Sequence, residues 1–267
     1  MKHHPVLSYY IMAFILSWMG MIPQTLYAQG LFPFEHPLFS FLGGGGPTIA
    51  AVIVTSVVFG RDKIKELFKP LLKWRTGVVW YLVTFLGWFV IAGLALGVGA
   101  LLGQPFPALG QFAWSSIILI FAMMLLSNVW EEVGWRGFAL PRLQQKYSDL
   151  AIALGMGLIW SLWHLPLMLN PDNLMASLPW YGEIVFSLTL SVIYIWLYNQ
   201  TQRSLLFVTV FHAMSNTVAY ILLELHVFVS SYLTVVGVTL VLALAIILVY
   251  GPKRFGKQAK LAINTET

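Results

Sequence analysis

The chain has 267 residues, of which 59% are hydrophobic and only 9% are charged. A soluble domain has about 45–50% apolar and about 25% charged residues, so this composition excludes an ordinary soluble protein. The chain contains no cysteine, which excludes disulfides, thiolate metal sites and a cysteine nucleophile.

Apolar blocks recur along the whole chain. A spanning helix needs about 20 mostly apolar residues, and eight blocks are close to that length or exceed it. In chain order they are Pro5–Ala28, Leu38–Gly60, Val78–Leu102, Phe112–Trp130, Leu150–Leu169, Trp180–Tyr198, Leu205–Leu223 and Val227–Tyr250. The first block follows the basic residue Lys2, as the apolar part of a signal peptide would, but its length and Pro23 favour a helix that is not removed. The sequence predicts an all-α polytopic membrane protein of about eight transmembrane helices, forming a single domain over residues 1–267.

Basic residues lie on one side of this predicted topology. All fifteen precede the first span or follow the second, fourth, sixth and eighth, and the other connections hold none. This positive-inside pattern predicts that both termini are cytoplasmic. The net charge of +5 then reflects topology and contact with anionic lipid in the bilayer, not nucleic-acid binding.

Two local patterns accompany the spans. The segment 61–76 is basic and amphipathic, and it is predicted to lie along the cytoplasmic interface. Five of its apolar residues are expected to face lipid: Ile64, Leu67, Phe68, Leu71 and Leu72. In the second span, Gly43–Gly46 precede Pro47, a pattern that favours close helix packing and a bend over direct ligand contact.

Charged side chains are rare inside the predicted spans, yet three occur where the fourth span ends. In NVWEEVGWR, Glu132 and Arg136 are four residues apart on one helix face, in the order that favours an ion pair. Glu131 is rotated by about 100° from Glu132 and lies off that face. An unpaired carboxylate at low dielectric can act as a proton acceptor. The alternative is a salt-bridge cluster at a cytoplasmic helix end.

Three more polar side chains lie deep in later spans. His164 follows Trp160 by one turn in the fifth span, and His212 and Asn216 share one face of the seventh. Each has an ordinary structural explanation as a satisfied core group or a polar bridge between helices, although ionisable groups at membrane depth favour function. Three others lie at span ends, where solvated helix termini explain them: Glu183, Glu224 and His226.

The deep polar residues are suited to act together. Glu131, His164, His212 and Asn216 come from the fourth, fifth and seventh helices and are predicted to form one polar site there. A carboxylate, two imidazoles and a carboxamide can activate water and stabilise a tetrahedral intermediate. The first three can instead hold a divalent metal such as zinc with an open position. The chain has neither an HExxH nor a GxSxG motif.

Two other classes of function stay open. A non-catalytic immunity or scaffold protein can keep the same residues for structure or binding. A transporter can use Glu131 and the histidines as a proton relay, although no matching interrupted helices appear in the two halves of the chain.

Three motifs in order resemble the CPBP family of intramembrane proteases, the CAAX-processing and bacteriocin-processing enzymes also called the Abi family. The family pattern is EExxxR, then FxxxH, then HxxxN or HxxxD, on successive core helices. The matching residues here are Glu131-Glu132-x-x-x-Arg136, Trp160-x-x-x-His164 and His212-x-x-x-Asn216, and the flanks RGFALPRLQ and WHLPL are similar as well. Trp160 stands where the family has phenylalanine and keeps an aromatic wall for the cavity.

The resemblance implies an endopeptidase in a bacterial or archaeal plasma membrane, with a catalytic core at about 112–223. Its substrate would be a membrane-associated protein or peptide. Glu131 would be the general base on water, assisted by His164, and His212 with Asn216 would form the oxyanion site. The implied supporting residues are Glu132, Arg136 and Trp160. The same residues serve a metal-dependent or a glutamate-dependent mechanism.

Overall fold

The computed structural model describes residues 1–256, which form α-helices joined by short connections, with no β-strand in that range. The helices are α1 (Pro5–Ala28), α2 (Pro37–Phe59), α3 (Ile64–Phe68), α4 (Val78–Leu101), α5 (Ile117–Glu132), α6 (Leu140–Leu143), α7 (Asp149–Trp163), α8 (Leu165–Met168), α9 (Trp180–Gln200), α10 (Leu205–Glu224) and α11 (Phe228–Tyr250). A π-helical segment, Val133–Ala139, joins α5 to α6. Short 3₁₀ turns lie at Arg61–Lys63, Lys69–Leu72, Leu109–Gln111, Trp114–Ser116 and Leu174–Ser177. The predicted all-α polytopic class is confirmed.

Seven helical segments of the described chain are long and apolar enough to cross a bilayer. The predicted fifth span differs, because it consists of the 15-residue α7 followed by a break at His164 and the one-turn α8. Pro166 lacks a backbone N–H and is favoured in the first turn of a new helix, so the first helix ends just before it. The expected eight spans therefore become seven long ones and one interrupted helix, with His164 at the interruption.

The fourth span continues past its predicted end at Trp130, through the π-helical segment to Leu143. A Cβ on Gly134 would lie 2.6 Å from the carbonyl oxygen of Pro47, so only glycine allows α2 this close approach. The hydroxyl of Thr48 donates a hydrogen bond to the carbonyl of Trp130 at 2.5 Å. The EExxxR motif therefore lies inside the bundle, beside α2.

Glycines also bring α1 and α2 together. A Cβ on Gly46 would lie 2.1 Å from the Ser17 hydroxyl oxygen, and one on Gly20 would lie 2.1 Å from the Phe39 carbonyl oxygen. A Cβ on Gly44, by contrast, would meet no other atom within 4 Å. Close helix packing thus explains Gly46, as predicted, but it does not explain Gly44.

The bundle has two chemically different ends. At the basic end, the Ser204 hydroxyl donates to the carbonyl of Lys73, and the Asp149 amide donates to the carbonyl of Lys253. The connections at this end are 60–77, 144–148, 201–204 and 251–256. At the opposite end, called the distal end here, the Thr25 hydroxyl donates to the carbonyl of Pro166. The distal connections are 29–36, 102–116, 164–179 and 225–227, and their sequences contain no lysine or arginine.

Arg136, counted among the basic residues that follow the fourth span, is 1% exposed inside the bundle. One expectation about the basic end is wrong. Leu67 does not face lipid, because it is 4% exposed, with its backbone beside Gly137 of the π-helical segment. Leu72 is exposed, as expected for a lipid-facing residue. Lys257 and Lys260 lie outside the described residues.

A buried carboxylate holds the basic end together. Asp149, at the start of α7, accepts hydrogen bonds from the side chains of Gln144, Asn199 and Arg254 and from the backbone amide of Phe255, at 2.8–3.1 Å. These contacts fix the segment after α11 against α7 and α9.

Candidate active site

A cavity of about 310 Å³ lies among α4, α5, α7, α9, α10 and α11. All four predicted catalytic residues line it: Glu131, His164, His212 and Asn216. Glu131 lies at the end of α5, His164 caps the end of α7, and the other two lie one turn apart on α10. The fold therefore brings side chains from three distant parts of the sequence to one polar surface.

Glu132 has a different environment from its neighbour Glu131. It does not line the cavity and is 0% exposed. Its Oε1 accepts from Nη1 of Arg136 at 2.8 Å and lies 2.9 Å from Nδ1 of His212. A carboxylate paired with arginine only accepts hydrogen bonds, so Nδ1 of His212 is the donor. No salt bridge within residues 1–256 involves Glu131.

Arg136 is held between two aromatic rings. Its Cζ lies 4.7 Å from the ring centroid of Trp160 and 4.7 Å from that of Tyr194, which are cation–π distances. Trp160 also donates from Nε1 to Oε2 of Glu131 at 3.2 Å. A phenylalanine could not make that hydrogen bond, so the departure from the family pattern adds a direct contact to Glu131.

Glu183 belongs to the site, although it was predicted to lie at a solvated helix end. It is 4% exposed on α9, lines the cavity, and its Oε1 lies 3.1 Å from Nδ1 of His164. The Ser187 hydroxyl donates to the same oxygen at 2.7 Å, and the Tyr232 hydroxyl donates to Oε2 at 3.4 Å. The prediction was wrong because His164 and Tyr232, from distant parts of the chain, pack against Glu183, which position along the chain does not reveal.

Asn128 is a second site residue that the sequence did not predict. It is fully buried on α5, and its Oδ1 accepts from Nδ2 of Asn216 at 3.1 Å. A carboxamide within an apolar span, one turn before Glu131, is the signal that could have revealed it. Its contact fixes the Asn216 carboxamide at the cavity wall.

The predicted metal ligands do not form a metal site in this arrangement. Within the described range, no three or more His, Asp or Glu side chains are placed so that they could hold a metal ion. As placed here, Glu131, His164 and His212 therefore do not form a site for a shared ion.

The rest of the cavity is apolar. Its wall away from the polar residues is formed by side chains of α4, α9, α10 and α11: Trp88, Phe186, Leu190, Leu222 and Val235. The polar residues therefore share the cavity with an extended apolar wall.

The segment that carries this site matches a known family. A family model described as type II CAAX prenyl endopeptidase Rce1-like matches residues 113–218. CAAX prenyl protease 2 of Methanococcus maripaludis is 27% identical over 183 residues, which cover 63% of this chain and 68% of that protein. In both comparisons the chain resembles the CPBP family of CAAX proteases. This likeness supports an intramembrane endopeptidase, and the matched segment contains Glu131, His164, Glu183, His212 and Asn216.

Proposed function

We propose that this chain hydrolyses a peptide bond of a membrane-associated protein or peptide, using a water molecule activated by Glu131. One observation carries the assignment. Of the two adjacent glutamates, only Glu131 lines the cavity with His164, His212 and Asn216, whereas Glu132 is engaged by Arg136. A carboxylate without an ion pair, facing a cavity, is suited to accept a proton.

In the proposed reaction, Glu131 takes a proton from water as the water oxygen bonds to the carbonyl carbon of the substrate. The carbonyl π electrons move to oxygen and create an oxyanion. When the C–N bond then breaks, the leaving amine takes the proton that Glu131 holds. The carboxylate is regenerated, and the atoms of one water are divided between the two products.

In this proposal, Asn216 and His212 stabilise the oxyanion. The Asn216 amide donates one hydrogen to Asn128, which leaves its second hydrogen for the substrate. Because Nδ1 of His212 donates to Glu132, only Nε2 can serve the substrate, and it donates only when the ring carries both protons.

Glu183 acts as a positioning residue for His164. Its carboxylate accepts from Nδ1 of the imidazole, so Nε2 is the ring nitrogen left free for the cavity that Glu131 also lines. Ser187 and Tyr232 fix the carboxylate in turn. His164 is thereby oriented to assist proton transfer without being a ligand or a nucleophile.

The apolar wall supports a substrate with a large apolar group next to the bond that is cut. The Methanococcus maripaludis relative carries "prenyl" in its name, and an isoprenoid is one group of that chemistry. A bulky aliphatic or aromatic side chain is another.

Comparison of membrane proteins from cells with the wild-type chain and with Glu131→Gln tests the proposal. New N-termini should disappear in Glu131→Gln and in His164→Ala. Glu224→Gln, which changes an exposed glutamate at the distal end, should keep them. Unchanged cleavage in Glu131→Gln at normal abundance would reject the protease and favour a scaffold.

A further inference from the structure

A second cavity, of about 360 Å³, lies at the basic end of the bundle. It is formed where the end of α2, the segment 61–76, the π-helical segment and α6 meet, and it shares no lining residue with the cavity around Glu131. Its volume falls within the range of about 300–1,000 Å³ that is typical of ligand pockets. Its lining residues are Phe59, Lys63, Glu66, Leu67, Gly137 and Arg142. Two of them are basic and one is acidic, so the lining carries an excess of positive charge.

Arg142 brings a positive charge without a carboxylate partner to this cavity. No salt bridge within residues 1–256 involves it, whereas Arg254, at the same end of the bundle, pairs with Asp149. The only side-chain hydrogen bond of Arg142 in that range runs from Nη1 to the carbonyl oxygen of Phe138, at 2.8 Å. A guanidinium has several further N–H donors, and these stay available to a ligand in the cavity.

Two aromatic rings hold the Arg142 guanidinium in place. Its Cζ lies 3.9 Å from the ring centroid of Phe138 and 4.7 Å from that of Phe59, which are cation–π distances. A planar guanidinium binds a phosphate group through two parallel hydrogen bonds. Because the side chain is already ordered by the two rings, it loses little further freedom when an anion binds.

Lys63 supplies a second positive charge on the exposed side of the cavity. Its ammonium lies 2.9 Å from Oε1 of Glu66, and both side chains are more than half exposed. An exposed ion pair of this kind contributes little to stability. Lys63 can therefore exchange Glu66 for an anion in the same cavity at small cost.

The cavity lies where a membrane span ends. Phe59 is the last residue of α2, a helix long and apolar enough to cross a bilayer, and its side chain is 43% exposed. Anionic phospholipids carry their phosphate at this boundary, and basic pockets between membrane helices bind such headgroups. We propose that this cavity binds the phosphate of an anionic phospholipid, with Arg142 as the main donor and Lys63 as the second cation. Binding there does not depend on peptide cleavage, since the two cavities are separate.

Native mass spectrometry of the full-length chain in neutral detergent tests this site. The protein is titrated with phosphatidylglycerol, with phosphatidylcholine of the same acyl chains, and with phosphatidylglycerol in the presence of inorganic phosphate. Arg142→Gln removes the guanidinium from the cavity. Lys146→Gln is the matched control, because Lys146 is an exposed cation at the same end that does not line the cavity.

Phosphatidylglycerol should bind the wild-type chain more tightly than phosphatidylcholine does. Arg142→Gln should weaken phosphatidylglycerol binding about tenfold or more, as expected when charge-assisted hydrogen bonds are lost, and Lys146→Gln should leave it unchanged. Equal affinity for the two lipids, or unchanged binding in Arg142→Gln, overturns the proposal. Displacement of the lipid by an equal concentration of inorganic phosphate would assign the site to free phosphate and overturn the lipid assignment.

A second pair of variants keeps the test decisive if Arg142→Gln does not fold. Lys63 and Glu66 are both exposed, so replacing either should not unfold the chain. Lys63→Gln should weaken phosphatidylglycerol binding, because it removes a cation and leaves Glu66 unpaired. Glu66→Gln should strengthen it, because it removes the negative charge of the lining. The same change in affinity for both variants would contradict an anion site.

Discussion

Changing Glu131 or Glu132 to glutamine is the same chemical substitution at adjacent positions. Glu132→Gln is nevertheless expected to lose stability, whereas Glu131→Gln is expected to lose cleavage. Glu132→Gln removes the negative charge that pairs with Arg136, and both side chains are at most 1% exposed. Removing one partner of a buried ion pair costs about 3–5 kcal/mol, because the remaining charge is left uncompensated. The aromatic rings around Arg136 are unchanged by the substitution and do not offset this loss.

Glu131→Gln should leave stability nearly intact. The only side-chain hydrogen bond to Glu131 within the described range comes from Trp160, and a glutamine oxygen can still accept it. The cost should stay below about 1.5 kcal/mol, the upper end for one ordinary hydrogen bond. Peptide cleavage should nevertheless be lost, because an amide cannot take a proton from water.

Both variants should be purified in the same detergent and unfolded with increasing denaturant, with cleavage measured in parallel. Equal losses of unfolding free energy would refute the separation of the two glutamates into a paired and an unpaired one. An active Glu131→Gln enzyme would refute its role as the base.

Other single positions give three more expected outcomes. Gly46→Ala should lower the unfolding free energy by about 1–3 kcal/mol, because its Cβ overlaps Ser17. Gly44→Ala should raise the unfolding free energy by about 0.5–1 kcal/mol, because its Cβ meets no other atom within 4 Å. Denaturant unfolding measures both changes. Asp149→Asn should release the segment after α11, seen as faster tryptic cleavage there, and unchanged cleavage would contradict the clamp. Glu183→Gln should lower kcat and alter the pH profile of kcat. The loss should not exceed the roughly 10²–10⁴-fold that a positioned acid–base group contributes. If Glu183 had only a structural role, the substitution would change stability alone.

Local sequence patterns were sufficient to predict the class of protein and most of the helix boundaries. Hydrophobic length is a local property, so α1 was predicted to the residue and α9–α11 to within a few residues. The separation of Glu131 from the Glu132–Arg136 pair was also accessible, since helix geometry fixes the angle between neighbouring side chains. The three motifs, whose spacing is readable along the chain, indicated the family.

Other features depended on contacts between distant segments. The interruption at His164 was missed because the apolar pattern runs on through Pro166. Glu183 was misplaced because burial at a helix end depends on which distant side chains pack against it, here His164 and Tyr232. Asn128 gains its importance only from its partner Asn216, 88 residues away. Local hydrophobicity and helical periodicity thus set the helices, whereas the pairing of buried polar groups is settled only in the folded bundle, because each group must find a partner wherever the fold provides one.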